Sequence, residues 1–122
     1  MPTEPDPITL SEIARRATEI VDPHGTEDDV IHLFTHLEDD DRPITTVQDL
    51  EGRLALATDG LADGIDSPAV DMAVATILYL AHRRDQLEDD PDDVLRLTAR
   101  AEWHGQPPPA VQNWLDERGV EA

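Results

Sequence analysis

Apolar residues recur along the chain at helical spacing in six segments, separated by clusters of proline, glycine and aspartate. The first segment runs from about Thr9 to Val21 and is followed by the helix-breaking run Asp22–Gly25. Its apolar positions share one helical face: Leu10, Ile13, Ala14, Ala17, Ile20 and Val21. This spacing predicts an amphipathic first helix with one buried side.

The second and third segments add capping signals to their apolar stripes. Thr26 is the predicted N-cap of the second helix, with Asp29 three residues later as in a capping box. The run Asp39–Pro43 ends that helix, and the third is predicted to start near Thr46 with Asp49 at its third position. The predicted buried positions are Val30, Phe34 and Leu37, flanked by Ile31 and Leu33, and then Val47, Leu50, Leu54, Ala57 and Leu61.

The fourth segment is the most apolar of the six. Ser67 and Pro68 form a strong start signal, because a capping hydroxyl is followed by proline in the first turn. Between Val70 and Ala81 almost every position is apolar, which is typical of a helix surrounded by others. We therefore expect the helix at about 68–87 to be the central one.

The fifth helix is predicted to have Pro91 near its first turn and to end at Gly105, before the stiff corner Pro107–Pro109. Its predicted inward positions are Val94, Leu97, Thr98 and Ala101, and a short last helix carries Val111, Trp114 and Leu115 and stops at Gly119. No segment alternates with period two as a strand does. The sequence thus predicts an all-α fold: a flexible tail at 1–7 and one compact bundle of five to six helices at 8–119.

Charge changes this picture more than any motif. The 122 residues include 28 acids and nine arginines but no lysine, giving a net charge of −19. So many like charges would destabilise a small fold in dilute buffer, whereas molar salt shortens the Debye length to roughly 3 Å and removes most of the repulsion. The composition therefore predicts a halophile-type protein. Without cysteine, a signal-like N-terminus or a membrane-length apolar run, we expect it in the cytoplasm and not at a membrane.

One candidate metal site stands out. Asp28, His32 and His36 follow one another at intervals of four residues, so that a helix would present a carboxylate and two imidazoles on one face. That face lies opposite the apolar stripe, and no fourth ligand is evident. The favoured interpretation is a solvated surface on which Asp28 pairs with His32, with no metal and no cofactor.

The last two helices allow a nucleic-acid interpretation. They have the order of a helix-turn-helix unit, in which Gln112, Asn113 and Arg118 would reach base edges. Asp116 and Glu117 would then face phosphates, and the connecting turn is long and rich in proline. Nucleic-acid binding is therefore possible but not favoured.

Two tryptophans flank the proline-rich corner and offer a different interpretation. Trp103 falls opposite the inward stripe of the fifth helix, where an exposed indole would be a contact anchor, and Trp114 lies across the corner. The alternative is that Trp103 packs under the last helix.

No nucleophile elbow, phosphate-binding loop or nucleotide fingerprint occurs in the sequence. The leading hypothesis is therefore a non-enzymatic, protein-binding or regulatory module whose partner and oligomeric state are left open. The alternatives are a helix-turn-helix DNA-binding regulator, an inhibitor that mimics DNA with rows of carboxylates, and a metal-dependent enzyme centred on His32 and His36.

Overall fold

The computed structural model describes residues 8–44, 47–59, 68–83, 86–87, 89–104 and 106–120. Within these ranges the fold is all-α, as predicted, and its only extended pairing is an isolated bridge between Thr9 and Pro43. The helices are α1 (Leu10–Val21), α2 (Asp28–Leu37), α3 (Leu50–Asp59), α4 (Pro68–His82), α5 (Pro91–Trp103) and α6 (Pro109–Glu117). Buried apolar residues from all six helices form one continuous core. None of the described helices is both long enough and apolar enough to cross a bilayer.

The predicted central helix is confirmed, because α4 packs against each of the other five. Its C-terminus, however, was predicted too late. The helix ends at His82 rather than near residue 87, and the Gln86 N–H donates to the Arg83 carbonyl in a separate turn. Arg16 of α1 then donates from its guanidinium to the carbonyls of Leu87 and Asp89. These tertiary bonds hold a turn where the sequence pattern alone allows the helix to continue.

The predicted face of α1 is confirmed, since all of its apolar positions are buried. The Thr9 hydroxyl caps the helix by accepting the Glu12 N–H at 3.2 Å. The first-turn N–H groups of Leu10 and Ser11, which have no partners within a helix, donate to the carbonyls of Arg42 and Asp40. The chain after α2 therefore completes the start of α1.

The start of α2 differs from the prediction. Its N-cap is Glu27, not Thr26. Neither the Thr26 hydroxyl nor the Glu27 carboxylate caps the first turn. Instead, the carboxylate of Asp22, which is only 5 % exposed, accepts the N–H groups of Thr26 and Glu27, each at 3.0 Å. Further along α2, Val30, Leu33 and Leu37 are buried, whereas Phe34 is half-buried.

The third helix begins at Leu50, later than predicted. Asp49 lies before the helix, with a left-handed φ of 53°, and its carboxylate accepts the Gly52 N–H at 3.2 Å. Asp49 therefore caps the helix rather than occupying its third position. Leu54 is buried as predicted, and Val47 and Leu50 are half-buried. The predicted start at Thr46, the side chain of Ala57 and the whole of Leu61 lie outside the described residues.

The fifth helix starts at Pro91 as predicted, with the Asp90 side chain as its cap. Its buried face is rotated from the predicted one: Leu95 and Ala99 are buried beside Val94 and Thr98, whereas Leu97 is half-buried and Ala101 is exposed. Leucine and alanine occur on both sides of this helix, so the pattern does not distinguish the two faces. Its C-cap is His104, with a left-handed φ of 54°, and the predicted terminator Gly105 lies outside the described residues. In α6, Val111, Trp114 and Leu115 are buried as predicted.

Candidate partner-binding cleft

An open cleft runs along the outer side of α4, between α3 and α5. It consists of two adjoining depressions of about 290 and 400 Å³ that share Glu51, Leu78 and His82. We call it the α4 cleft. Its remaining lining residues are Ile44, Val47, Asp49, Leu50, Ala75, Tyr79, Ala81, Arg83, Thr98, Ala101 and Glu102.

The cleft exists because α4 has more apolar faces than the described helices cover. The other helices pack around it, but α3 and α5 do not pack extensively on each other. A strip of α4 between them is therefore left half-buried, and Leu78 and Tyr79 belong to it. This strip gives the cleft an apolar floor.

One polar group in the cleft wall lacks a partner. Thr98 is fully buried, and its hydroxyl has no hydrogen-bond partner among the described residues. The comparable buried hydroxyl of Thr76 donates to the Met72 carbonyl at 2.6 Å. Burying a polar group without a partner costs about 1–3 kcal/mol. Thr98 therefore leaves a buried hydroxyl unsatisfied in the described part of the cleft wall.

The rim of the cleft is mainly acidic. Asp49 and Glu51 belong to the α3 side and Glu102 to the α5 side, and all three are exposed. Within the described chain, neither Glu51 nor Glu102 forms an ion pair. The cationic contribution comes from the C-terminal end of α4, where Arg83 is exposed next to His82. The cleft thus combines an apolar floor with carboxylates on both sides.

The predicted metal candidates lie elsewhere. Asp28, His32 and His36 are all exposed on α2, and none of them lines the cleft. Over the ranges that the structure describes, no group of three or more histidine and acidic side chains converges as a metal site would require.

The C-terminal candidates are also remote from the cleft. Arg118 stacks on Trp114, with its Cζ 4.0 Å from the ring centroid, and Gln112 donates to Asp116 at 2.9 Å. Burial lowers the pKa of the Arg118 guanidinium, against the opposing charges of Asp22, Glu27 and Asp92. These contacts tie two of the three predicted base-reading side chains to the protein itself, while Asn113 is exposed.

Neither of the two tryptophans is fully exposed. Trp114 is 8 % exposed, and Trp103 is half-buried and packs against the core. In addition, α6 packs on α4 and not extensively on α5, whereas the two helices of a helix-turn-helix unit pack on each other.

An ion-pair network that the sequence did not indicate joins α2 to α3. The Asp40 side chain is 7 % exposed and accepts from the Arg42 guanidinium at 2.6 Å and from Arg53 Nε at 3.1 Å. Arg53 also donates to the His36 carbonyl at 2.7 Å. Hydrogen bonds from Arg42, and then from Arg53, hold the pKa of Asp40 well below its usual range despite burial. Asp40 lies among four consecutive acids, Glu38 to Asp41, so nothing in the sequence distinguishes it.

Comparisons with known proteins found no match. No family model, no curated protein and no solved structure matches this chain.

Proposed function

We propose that this protein is a non-enzymatic binding module that holds a segment of another protein in the α4 cleft. The observation that carries the proposal is the half-buried strip of α4, an apolar surface left open between two flanking helices. Complete burial of a leucine contributes about 1.5–3 kcal/mol, and covering the part of the half-buried Leu78 that is still exposed would contribute a fraction of this. A groove with an apolar floor and a few polar groups is the usual form of a peptide-binding site.

The proposal extends to where the protein works, which we place in the cytoplasm of a salt-loving cell. The acidic excess and the lack of lysine support it, and so does the distribution of the acids. Every helix contributes at least one exposed carboxylate, for example Glu12, Asp28, Glu51, Asp71, Asp93 and Asp116. Acids contributed by all six helices favour a hydrated surface suited to brine over a DNA mimic, which would need two aligned rows on one face.

Site-specific photo-crosslinking in the native cell tests the binding proposal. A photoreactive amino acid replaces Ala101, an exposed residue on the rim of the cleft, and in a matched control it replaces Ala110, an exposed residue at the start of α6. Both positions lie on the surface, so neither replacement disturbs the core. We expect a discrete protein adduct at position 101 that does not form at position 110.

An added competition makes the result specific to the cleft. Ala101→Trp should fill the cleft and abolish adducts formed from a photoreactive residue at position 82, since His82 lines the same depression. Ala110→Trp should leave those adducts intact. Equal labelling from positions 101 and 110, or no adduct from the cleft, would refute the proposed function.

A further inference from the structure

We infer that the occupant of the α4 cleft is an amphipathic helix of a partner protein, with arginine or lysine on both flanks of its apolar face. The inference rests on the proposed function and specifies the chemistry of the partner. Three features of the cleft support it: the shape of its floor, the charge of its two sides and the acidity of the chain itself.

The shape of the floor favours a helix. The floor follows α4 from Ala75 to His82, two helical turns or about 10 Å. A partner helix can lie along it with apolar anchors at positions i, i+3 or i+4, and i+7. A helix also satisfies its own backbone hydrogen bonds, which an apolar floor cannot do. A peptide that binds by strand addition would need the free edge of a sheet, and the described part of the chain contains no strand to supply one.

The charge on the two sides of the α4 cleft predicts the charge of the residues that flank the apolar face of the partner helix. Glu51 on one side and Glu102 on the other are exposed and form no ion pair within the described chain. A helix between them brings both of its flanks within reach of a carboxylate. At molar salt only groups in direct contact keep much of their attraction, so the two glutamates on the rim matter more than the net charge.

The same argument disfavours a second copy of this chain as the occupant. The chain has 28 acids, nine arginines and no lysine. The six helices each carry at least one exposed carboxylate, which would meet Glu51 and Glu102 as a like charge. The complementary surface has to come from a different, locally basic protein.

Three designed peptides test the inference. Each is about 18 residues long, is stapled to keep it helical, and carries the same leucine anchors. The peptides differ only in the residues that flank these anchors, which are arginine in the first, glutamine in the second and glutamate in the third. Affinity for the full chain is measured by fluorescence anisotropy in molar KCl. Because exposed ion pairs contribute little individually, we expect the arginine peptide to bind only about tenfold more tightly than the glutamate peptide, with the glutamine peptide between them.

Protein variants then locate the effect. In the double variant Glu51→Gln and Glu102→Gln, the preference for arginine over glutamate should shrink to about twofold. The matched control, Glu12→Gln and Glu117→Gln, neutralises two exposed acids that do not line the cleft, and it should keep the full preference. Ala101→Trp should weaken all three peptides.

The outcomes separate the inference from the proposed function. Equal binding of the three peptides in the cleft, or tighter binding of the glutamate peptide, would overturn the inference and leave the proposed function standing. Binding of the arginine peptide that resists Ala101→Trp would mean general attraction to an acidic surface, which also overturns it. No binding by any peptide overturns it as well, and the crosslinking at position 101 then decides whether the proposed function falls too.

Discussion

Asp40 is one of four consecutive acids that look equivalent in the sequence. Among the ion pairs of the described residues, only its side chain receives two guanidinium groups, those of Arg42 and Arg53. Asp39 and Asp41 are exposed. What separates them is the turn after α2, which directs only Asp40 toward α3, and a tertiary contact of this kind has no signature in the local pattern.

Asp40→Asn should therefore destabilise the fold by about 2 kcal/mol, because charge-assisted hydrogen bonds are lost and two guanidinium groups lose their common acceptor. Urea denaturation in molar KCl measures the change. The neighbouring exposed Asp39→Asn is the control and should stay within about 0.5 kcal/mol of the wild type. A similar loss of stability in both variants would show that the ion pairs of Asp40 stabilise the fold no more than an exposed acid does.

The same pair of proteins should differ in their response to acid. The pKa of Asp40 is lowered in the folded state, so its contribution is fully present above the unfolded pKa of about 4 and declines as the pH falls below it. The wild type should lose more stability than Asp40→Asn on going from about pH 6 to pH 3. Parallel pH profiles would contradict the assignment. The comparison with Asp40→Asn cancels the effect of protonating the other acids.

Thr98 supports an unusual expectation for a buried residue. Because its hydroxyl has no described partner, Thr98→Val removes an unsatisfied polar atom and should stabilise the protein by up to about 1 kcal/mol. Thr76→Val is the matched control, since that hydroxyl does donate to a carbonyl, and it should be neutral or destabilising. Urea midpoints of the two variants provide the test, and a clear loss of stability in Thr98→Val would reveal a partner for the hydroxyl.

At the scale of the elements, the helices and most of their buried faces could be predicted from periodicity, but their ends could not. The face of α1 is as predicted, because its charged and apolar sides are well separated. The face of α5 is not, because small and large apolar residues lie on both sides. The ends of α2, α3 and α4 are fixed by Asp22, Asp49 and Arg16, through hydrogen bonds that local patterns do not specify.

The contact of Asp22 with the segment before α2 can be tested directly. Asp22→Ala should cost about 1–2 kcal/mol, because the N–H groups of Thr26 and Glu27 both lose their buried acceptor. Thr26→Ala, which leaves the backbone bonds to Asp22 intact, should cost less than about 0.5 kcal/mol. The opposite ranking in thermal or urea unfolding would restore Thr26 as the cap.

For the whole molecule, the sequence indicated a central apolar helix but not that one strip of it would be uncovered. That outcome depends on how α3 and α5 are spaced around α4, which is a property of the assembled bundle. Gln112, Asn113 and Arg118 have the chemical type of base-reading side chains, and none of them lines the cleft. The cleft residues Leu78, Thr98 and Ala101 carry no recognisable chemistry and look like ordinary core.

The acidic surface leads to a prediction for the molecule as a whole. Its stability should rise steeply between about 0.1 and 1 M KCl, over which the Debye length falls from about 10 to about 3 Å. Urea midpoints across that range measure the rise. A variant with Glu12, Asp28, Asp93 and Asp116 changed to their amides should depend less on salt. Full stability of the wild type in dilute buffer would rule out the proposed adaptation to brine.

The bonds between the start of α1 and the turn after α2 tie together two points that are distant in the sequence. Leu10 and Ser11 find their acceptors at Arg42 and Asp40, and the Ile44 N–H donates back to the Ile8 carbonyl at 2.8 Å. A residue inserted between Asp40 and Arg42 would change the spacing of these partners, so that the three pairings could no longer form together. The insertion would thereby destabilise the start of α1, which lies in a different part of the sequence. This short turn should therefore tolerate changes of side chain far better than changes of length.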